Sequence, residues 1–220
     1  MNGASTATIA DQLIQGSDEW AIARCGSVGA SRISDIMART KSGWGASRAN
    51  YAAELIAERL TGIPANRYQS AEMRWGIETE PQARDAYAFY TDADVVQIGL
   101  VKHPSIHGSH ASPDGLVGDN GLLEIKSPNT STHIETLLTG AVPGKYATQM
   151  LWQMACTGRQ WCDYVSFDPR MPEHMRYWCK RVHRDDALIA ELEREVAVFL
   201  GEVAGKVEAL QTKYPERMAA

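Results

Sequence analysis

The 220-residue sequence lacks the features of membrane, secreted and disordered proteins. No apolar stretch approaches the roughly 20 residues that a helix needs to cross a bilayer. The N-terminus lacks a basic start followed by an apolar block, so we expect no secretory signal. The four cysteines form no CxxC pair, which favours reduced thiols in a cytoplasmic protein. There is no internal repeat and no long Pro-, Gly- or Ser-rich linker, so we expect a single domain over residues 1–220.

An excess of basic residues is also missing, since the formal net charge is -5. Proteins that simply coat nucleic acid are usually basic, so the charge argues mildly against that class. It does not exclude an enzyme that cleaves nucleic acid. Such an enzyme needs buried carboxylates and can keep its basic residues close to the substrate path.

The hydrophobic pattern changes period along the chain, which indicates an α/β fold. Helices are predicted at DEWAIAR after Ser17, ASRISDIMAR, ANYAAELIAERLTG, Ser70 to Tyr90, KYATQMLWQMACTG and a long segment that begins at Asp185. Strands are predicted at DVVQIGLVKH, GSHASPDGLV, GLLEIKSP, WCDYVSFDP and MRYWCKRVH. We therefore expect a central mixed β-sheet flanked by helices.

The most informative segment is a predicted β-hairpin whose turn lies at residues 118–121. The sequence Gly-Asp-Asn-Gly is a strong turn signal between two apolar runs. If the hairpin pivots near Asp119, Asp114 lies across from Glu124, with Cβ atoms about 5 Å apart. Glu124 and Lys126 are two residues apart on one strand and therefore face the same way. Three ionisable side chains are thus predicted to converge.

This convergence predicts a metal site. Adjacent carboxylates repel each other, and a divalent cation relieves the repulsion. The carboxylates of Asp114 and Glu124, with the Ile125 carbonyl, are hard oxygen ligands suited to Mg²⁺, for which Mn²⁺ is an expected substitute. Lys126 is placed to position or deprotonate a water, or to balance charge on a phosphate. These groups are suited to cutting a phosphodiester.

A simpler alternative is a solvated hairpin that carries a surface Glu–Lys ion pair. The strand itself argues for burial, because Leu122, Leu123 and Ile125 make it apolar on both faces. A Glu and a Lys on such a strand require a functional reason.

Pro113-Asp114 followed by Glu124-x-Lys126 forms the PD…(D/E)xK signature of the restriction-endonuclease-like nucleases. The chain more closely resembles the family of phage lambda exonuclease and the YqaJ-type viral recombinase nucleases, from about Gly16 to Met171 and more weakly through the last helix. The matching blocks are GSDEW near Ser17, RWGIETEPQAR at Arg74–Arg84, SPDGL at Ser112–Leu116, LEIKSP at Leu123–Pro128, YATQ at Tyr146–Gln149 and FDPRM at Phe167–Met171. Several blocks in the right order are far more specific than one.

The resemblance implies a restriction-endonuclease-like core and roles for individual residues in catalysis. Asp114 and Glu124 would be metal ligands assisted by the Ile125 carbonyl, and Lys126 would be the catalytic lysine. Glu80 matches an active-site acid that acts from a helix through a metal-bound water. Gln149 falls on the active-site glutamine of the family.

The resemblance also implies DNA contacts. Arg24 and Ser31 match residues that hold a terminal 5′-phosphate, and Lys41 stands where the family has an arginine. Lysine keeps the charge but loses the two-pronged grip of a guanidinium. Met73 occupies the position of an apolar wedge between end base pairs. Gln153 is predicted to join these DNA-binding residues, one turn after Gln149.

Each of these roles has a structural alternative. On an amphipathic helix, Glu80 is more typical of a solvated face, and Arg24 is also suited to cap a helix C-terminus. Met73 suits core packing, and Gln149 and Gln153 suit a half-buried helix.

Two further groups of residues are interpreted as structural. A zinc site at His103, His107 and His110 is disfavoured because no cysteine lies nearby. The remaining candidates for base stacking are expected to be core aromatics: Trp152, Trp161 and Trp178.

The activity that the resemblance implies is magnesium-dependent 5′ to 3′ degradation of one strand of double-stranded DNA to mononucleotides. It also implies a ring-shaped homotrimer and a single-strand annealing protein as partner in phage recombination. Two alternatives remain open, an endonuclease built on the same core and a non-catalytic DNA-binding module.

Overall fold

The computed structural model of the chain describes residues 9–10, 13–65 and 70–215. Within these ranges the α-helices are α1 (Asp18–Arg24), α2 (Ile33–Met37), α3 (Ala46–Thr61), α4 (Ala71–Thr91), α5 (Thr130–Thr139), α6 (Gly144–Thr157) and α7 (Asp186–Lys213). The strands are β1 (Ile9–Ala10), β2 (Val28–Gly29), β3 (Arg39–Thr40), β4 (Gly43–Trp44), β5 (Val95–Val96), β6 (Leu100–Lys102), β7 (Ser109–Ala111), β8 (Gly115–Val117), β9 (Gly121–Lys126), β10 (Trp161–Phe167) and β11 (Tyr177–His183).

The strands form two main sheets and one small hairpin. The five-stranded sheet has the order β11-β10-β9-β8-β5, in which β9 and β10 are parallel and the other pairs are antiparallel. The four-stranded sheet has the order β1-β6-β7-β2, and β3 pairs only with β4. The expectation of a mixed β-sheet flanked by helices is confirmed.

Strand β9 is buried on both faces, as its composition predicts. Leu122 packs in the larger hydrophobic cluster, which includes residues of α3, α6 and α7. Leu123 and Ile125 point the other way, into a smaller cluster with Ala83 and Tyr87 of α4. Because side chains alternate along a strand, Glu124 shares the face of Leu122 and points towards α6.

Two segments predicted as single strands are each divided between the two main sheets. DVVQIGLVKH contains β5 and β6, and GSHASPDGLV contains β7 and β8, with β5 paired to β8 and β6 to β7. The chain changes sheet near Gly99, where an added Cβ would lie 1.8 Å from the Leu13 carbonyl oxygen. Alternating hydrophobicity does not reveal such a change of sheet, because both sheets have the same period.

Other differences from the sequence prediction are local. The ASRISDIMAR helix is shorter than predicted, because a 3₁₀ turn covers Ala30–Arg32 and α2 ends at Met37 before β3 begins. The segment between α2 and α3, for which the sequence pattern predicts no strand, contains the β3–β4 hairpin. The prediction also missed α5, although Asn129 caps its N-terminus and Gly140 ends it in the left-handed conformation.

Three chain-wide features bear on the class of protein. Among the described helices, none is both long and apolar enough to cross a membrane. All four cysteines are free thiols. The apolar core therefore forms without disulfide cross-links.

Candidate active site

The β8–β9 hairpin brings Asp114 and Glu124 together. Its register pairs Gly115 with Leu123 and Val117 with Gly121, which continues to Asp114 opposite Glu124. The Asp114 amide donates to the Leu123 carbonyl at 3.1 Å, and its carboxylate accepts a hydrogen bond from the Ile125 amide at 2.6 Å. The predicted chain reversal is confirmed.

Glu124 is fully buried, yet both of its carboxylate oxygens accept hydrogen bonds. The side-chain amide of Gln149 donates to Oε1 at 2.6 Å, and that of Gln153 donates to Oε2 at 2.5 Å. Lys126 Nζ forms an ion pair with Oε1. Helix α6 presents the two glutamines from successive turns. The buried negative charge is therefore hydrogen-bonded from one side and neutralised from the other.

The charges of this cluster act on one another. Burial raises the pKa of Asp114 well above its ordinary value, and repulsion from Glu124 raises it further, while Lys126 opposes the shift. Burial alone would lower the pKa of Lys126, but the negative charges of Glu124 and Asp114 raise it above its ordinary value. An ionised Asp114 therefore needs more positive charge than Lys126 supplies.

A divalent cation fits this electrostatic demand. The carboxylates of Asp114 and Glu124 are hard oxygen donors from neighbouring strand positions, and the Ile125 carbonyl is a third such group. Among the residues that the structure describes, no three His, Cys, Asp or Glu side chains form a ready-made metal cluster. A site of this kind therefore resembles those in which Mg²⁺ retains waters and shares coordination with substrate phosphate.

Glu80 approaches the same centre from α4. It is partly exposed and forms an ion pair with Arg84 one turn later. Its negative charge is near enough to raise the pKa of Asp114. Glu80 therefore acts electrostatically on Asp114 from α4, while Arg84 engages its carboxylate.

The site opens into a cleft of about 160 Å³. The cleft is lined by Gln15, Trp20, Arg24, Ala30, Ser31, His110, Ser112, Asp114, Glu124, Lys126 and Gln149. Basic and hydroxyl groups from the N-terminal part of the chain therefore face the acidic centre across one small space. A larger cavity of about 480 Å³ lies beside the hairpin turn, against Asp119 and Trp161, and contains none of the predicted site residues.

Two of the predicted phosphate-binding residues line this cleft. Arg24 ends α1, where its guanidinium lies over the Trp20 ring, 3.9 Å from the centroid. Burial lowers the pKa of Arg24 below its ordinary value, and the nearby Tyr51 and Glu58 oppose this shift. Ser31 is exposed in the 3₁₀ turn that follows β2.

The other three predicted DNA-binding residues lie outside the cleft. Lys41 is exposed between β3 and β4, and Met73 is 55% exposed in the first turn of α4. Gln153 is fully buried behind Glu124. The prediction that Gln153 contacts DNA is incompatible with this burial, and its amide instead holds the Glu124 carboxylate.

The three histidines do not form a zinc site. The buried His103 ring accepts at Nδ1 from the Ile106 amide, and Nε2 faces Glu193 at 3.2 Å. His107 is exposed, whereas His110 is buried beside Arg24. Each of the three rings therefore has a separate environment.

The sequence prediction missed several residues that shape the cleft. Trp20 donates through its indole nitrogen to the Gly99 carbonyl at 3.0 Å and to Ser112 Oγ at 3.2 Å. Gln15 donates to the Pro113 carbonyl at 2.9 Å. Both contacts fasten the loop that carries Asp114. The only sequence signal for Trp20 was its place in the GSDEW block. A matching block does not reveal that Trp20 contacts Gly99, more than 75 residues away.

Comparisons with known proteins indicate the family to which the chain belongs. No curated protein matches the chain. Among solved structures, LHK-Exo, an alkaline exonuclease from Laribacter hongkongensis, is 54% identical over 90% of this chain and 97% of that chain. The TM-score is 0.83 for that structure and 0.85 for LHK-Exo in complex with dAMP.

A phage-related exonuclease from Haemophilus somnus shares the fold, with a TM-score of 0.66 at 14% identity over 84% of this chain and 96% of that chain. Kinship with an alkaline exonuclease at 54% identity confirms the prediction that the chain is a nuclease. Residues 19–160 match the YqaJ-like viral recombinase domain. The chain therefore belongs to the YqaJ-like viral recombinase family.

Proposed function

We propose that this nuclease is a magnesium-dependent exodeoxyribonuclease that degrades one strand of double-stranded DNA from its 5′ end and releases mononucleotides. The observation that carries the proposal is the shared cleft. Asp114, Glu124 and Lys126 face Arg24 and Ser31 across a space of about 160 Å³. A centre suited to phosphodiester hydrolysis thus lies beside groups suited to holding a second phosphate.

In the proposed reaction, Asp114, Glu124 and the Ile125 carbonyl hold the metal. When bound, Mg²⁺ polarises the scissile phosphate and lowers the pKa of a water molecule. Gln149 and Gln153 keep the Glu124 carboxylate oriented through their hydrogen bonds. Lys126 supplies positive charge beside the phosphate, since its carboxylate neighbours favour the protonated amine. Glu80 would help to orient the attacking water from α4, since its charge already reaches Asp114.

The proposed polarity of degradation depends on the residues that bind the terminal phosphate. A 5′-terminal phosphate held by Arg24 and Ser31 lies one nucleotide from the bond that is cut, so each turnover releases one mononucleotide. LHK-Exo, at 54% identity, has been crystallised in complex with dAMP. A deoxynucleoside monophosphate is the kind of product that this reaction releases. Lys41 and Met73, both exposed, are proposed to contact the duplex beyond the cleft.

The proposal also covers the oligomeric state of the enzyme and the process in which it acts. One domain over residues 1–220 would form a homotrimeric ring around DNA, a closed cyclic assembly. We place the enzyme in phage-type homologous recombination in the cytoplasm of a bacterial host, beside a single-strand annealing protein. The free cysteines are compatible with a reducing compartment.

A magnesium titration on end-labelled duplex DNA tests the central claim. The substrates are a linear duplex with 5′-phosphate ends, the same duplex with 5′-hydroxyl ends, and a closed circle. We expect labelled mononucleotides from 5′-labelled linear DNA only when Mg²⁺ or Mn²⁺ is present, faster digestion of phosphorylated ends, and an intact circle.

The variants Asp114→Ala and Glu124→Ala are expected to abolish digestion, while Asp119→Ala on the hairpin turn serves as the matched control. Cleavage of the circle would favour an endonuclease on the same core. Early release of label from 3′-labelled DNA would show that degradation begins at the 3′ end. Undiminished digestion by the Asp114→Ala or Glu124→Ala protein would remove that carboxylate from the mechanism.

A further inference from the structure

Arg24 is held from two sides in the cleft. Its Nε donates a hydrogen bond to His110 Nε2 at 3.0 Å, and its guanidinium plane lies over the Trp20 ring. His110 is buried, with 3% of its surface exposed. With Nε engaged by the imidazole, the terminal nitrogens of the guanidinium are left for an anion in the cleft.

The contact with Arg24 determines the protonation state of His110. A guanidinium has only donors, so His110 Nε2 must accept and therefore carries no proton. The remaining ring proton lies on Nδ1, which is 3.0 Å from Ser27 Oγ and donates to it. Burial lowers the pKa of His110 to about 3, and the charge of Arg24 contributes to the shift. The imidazole is thus neutral at physiological pH and in one tautomer.

Strand β2 closes the third side of this arrangement. A Cβ added to Gly29 would lie 3.2 Å from both Arg24 Nη2 and His110 Nε2. The Gly29 amide is itself fastened, because it donates to the Tyr51 hydroxyl at 3.1 Å. A side chain at this position would force Arg24 and His110 to move by a few tenths of an ångström, so glycine suits the close approach.

The same arrangement is connected to the metal-binding loop. Trp20, whose ring face supports Arg24, donates through its indole nitrogen to Ser112 Oγ at 3.2 Å. Ser112 precedes Asp114 by two residues. Side-chain contacts, and not charge attraction alone, therefore determine where the Arg24 guanidinium lies relative to the acidic centre.

We infer that His110 is a positioning residue that orients Arg24 as a neutral hydrogen-bond acceptor, so that a 5′-phosphate is held at a fixed distance from Asp114 and Glu124. This inference rests on the proposed function and deepens it. The substrate class is DNA with a 5′-phosphate end, and His110 acts on it only through Arg24. A pre-oriented guanidinium forms a stronger two-pronged contact with phosphate than a free one.

The test compares specificity rather than activity. The quantity measured is the ratio of kcat/KM for 5′-phosphorylated duplex to kcat/KM for 5′-hydroxyl duplex. The variants are His110→Ala, His110→Gln, Arg24→Ala and the double variant Arg24→Ala/His110→Ala. His107→Ala is the control because its ring is exposed and the Arg24–His110 hydrogen bond does not involve it.

We expect His110→Ala to lower the ratio about tenfold, mainly through a higher KM for phosphorylated ends, as for loss of one charge-assisted contact. His110→Gln should recover much of the ratio, since its amide oxygen can accept from Arg24 Nε. In the Arg24→Ala background the His110→Ala change should leave the ratio as it is, because the effect passes through Arg24. His107→Ala should match the parent.

Three results separate the possible failures. A parent protein that does not digest DNA overturns the proposed function. A parent that digests both ends equally leaves the nuclease but overturns the role of Arg24 and His110. If the parent prefers 5′-phosphorylated ends and His110→Ala keeps that preference, only the inference about His110 is overturned. The same conclusion follows if His110→Ala lowers the ratio to the same extent in the Arg24→Ala background.

Two controls address folding. If thermal melting shows that His110→Ala is unfolded, Gly29→Ala replaces it, because the added methyl group displaces the same two side chains and should also lower the ratio. The ¹⁵N chemical shifts of the His110 ring at pH 7 report the tautomer without activity. A proton on Nε2, or on both nitrogens, would contradict the inferred contact.

Discussion

At the residue scale, Asp114 is where stability and activity conflict. Burial and repulsion from Glu124 raise its pKa above the ordinary value of 3.8. At neutral pH the folded protein therefore carries a carboxylate whose ionisation opposes folding. A group of this kind is retained where its charge is used, and metal binding is the use that we propose.

We predict that Asp114→Asn abolishes metal-dependent digestion and stabilises the metal-free protein. Asn keeps an oxygen that accepts from the Ile125 amide but removes the charge. Activity should fall at least about 100-fold, since even outer partners of a metal contribute 10–100-fold. The melting temperature in EDTA at pH 7 should rise by about 2–4 °C, equivalent to about 1 kcal/mol.

The stabilisation should disappear below about pH 4, where Asp114 is protonated in both the folded and unfolded states. Asp119→Asn, on the exposed hairpin turn, is the matched control and should change neither property. A melting temperature that falls in Asp114→Asn would contradict the electrostatic account of this site.

His110 gives the second residue-scale prediction, which concerns acid stability. Its pKa is about 3 in the folded protein and 6.5 ordinarily. Because the folded value is depressed, the contribution of His110 to stability is complete above about pH 6.5 and is lost as the pH falls towards 3. Between pH 7 and 4.5 the loss should be about 2–3 kcal/mol, at 1.36 kcal/mol per unit.

Urea unfolding of the parent and of His110→Gln at pH 7 and 4.5 measures this loss. The free energy of unfolding should depend less on pH in His110→Gln than in the parent. His107→Gln, an exposed position, should behave like the parent. Equal pH dependence in His110→Gln and the parent would show that the imidazole does not take up a proton on unfolding.

At the element scale, the β3–β4 hairpin is attached to the body of the protein at its base and free at its tip. Arg39 lies over the Trp44 ring, 3.2 Å from the centroid, and pairs with Glu195 of α7 at 3.7 Å. Lys41 stands at the exposed turn. Its ammonium therefore reaches solvent, whereas the Arg24 guanidinium is held within the cleft.

We predict that Lys41→Ala reduces the preference for 5′-phosphorylated ends by no more than about fivefold, because an exposed ion pair contributes at most about 1 kcal/mol. Arg24→Ala should reduce it more. Lys41→Arg should increase the preference, since a guanidinium grips phosphate with two donors. Competition between the two labelled duplexes in one reaction measures all three. A larger effect at Lys41 than at Arg24 would reverse the proposed order of importance.

At the scale of the whole molecule, exposed apolar side chains make the surface suited to contacts between copies of the chain. Several large apolar side chains are exposed, among them Ile77 and Phe89 of α4 and Leu138 of α5. Exposed apolar groups of this kind are suited to contacts between copies. A ring around DNA would keep the enzyme on its substrate despite a net charge of -5.

We predict a solution mass of about three times the 24.2 kDa of one chain. Light scattering after size exclusion measures it over a range of concentrations. A trap of excess unlabelled duplex, added after digestion has started, should leave ongoing degradation nearly unchanged, since a closed ring does not release DNA between cuts. A monomeric mass together with immediate inhibition by the trap would contradict the ring.

The sequence by itself determined the acidic centre. The Gly-Asp-Asn-Gly turn and the period of two along β9 are local properties of the backbone, so they were sufficient to oppose Asp114 to Glu124 and to align Lys126 with them. The two apolar faces of β9 likewise predicted its burial. Ser17 marked the start of the helix that follows it, and its side chain caps α1.

Only the tertiary structure decided how distant parts of the chain complete the site. Gln149 reaches Glu124 across 25 residues and Arg24 reaches His110 across 86. Periodicity also did not reveal that Gln153 lies behind the carboxylate and away from DNA. The physical reason is that hairpin geometry follows from a few backbone dihedral angles, whereas contacts between elements depend on how complete surfaces pack together.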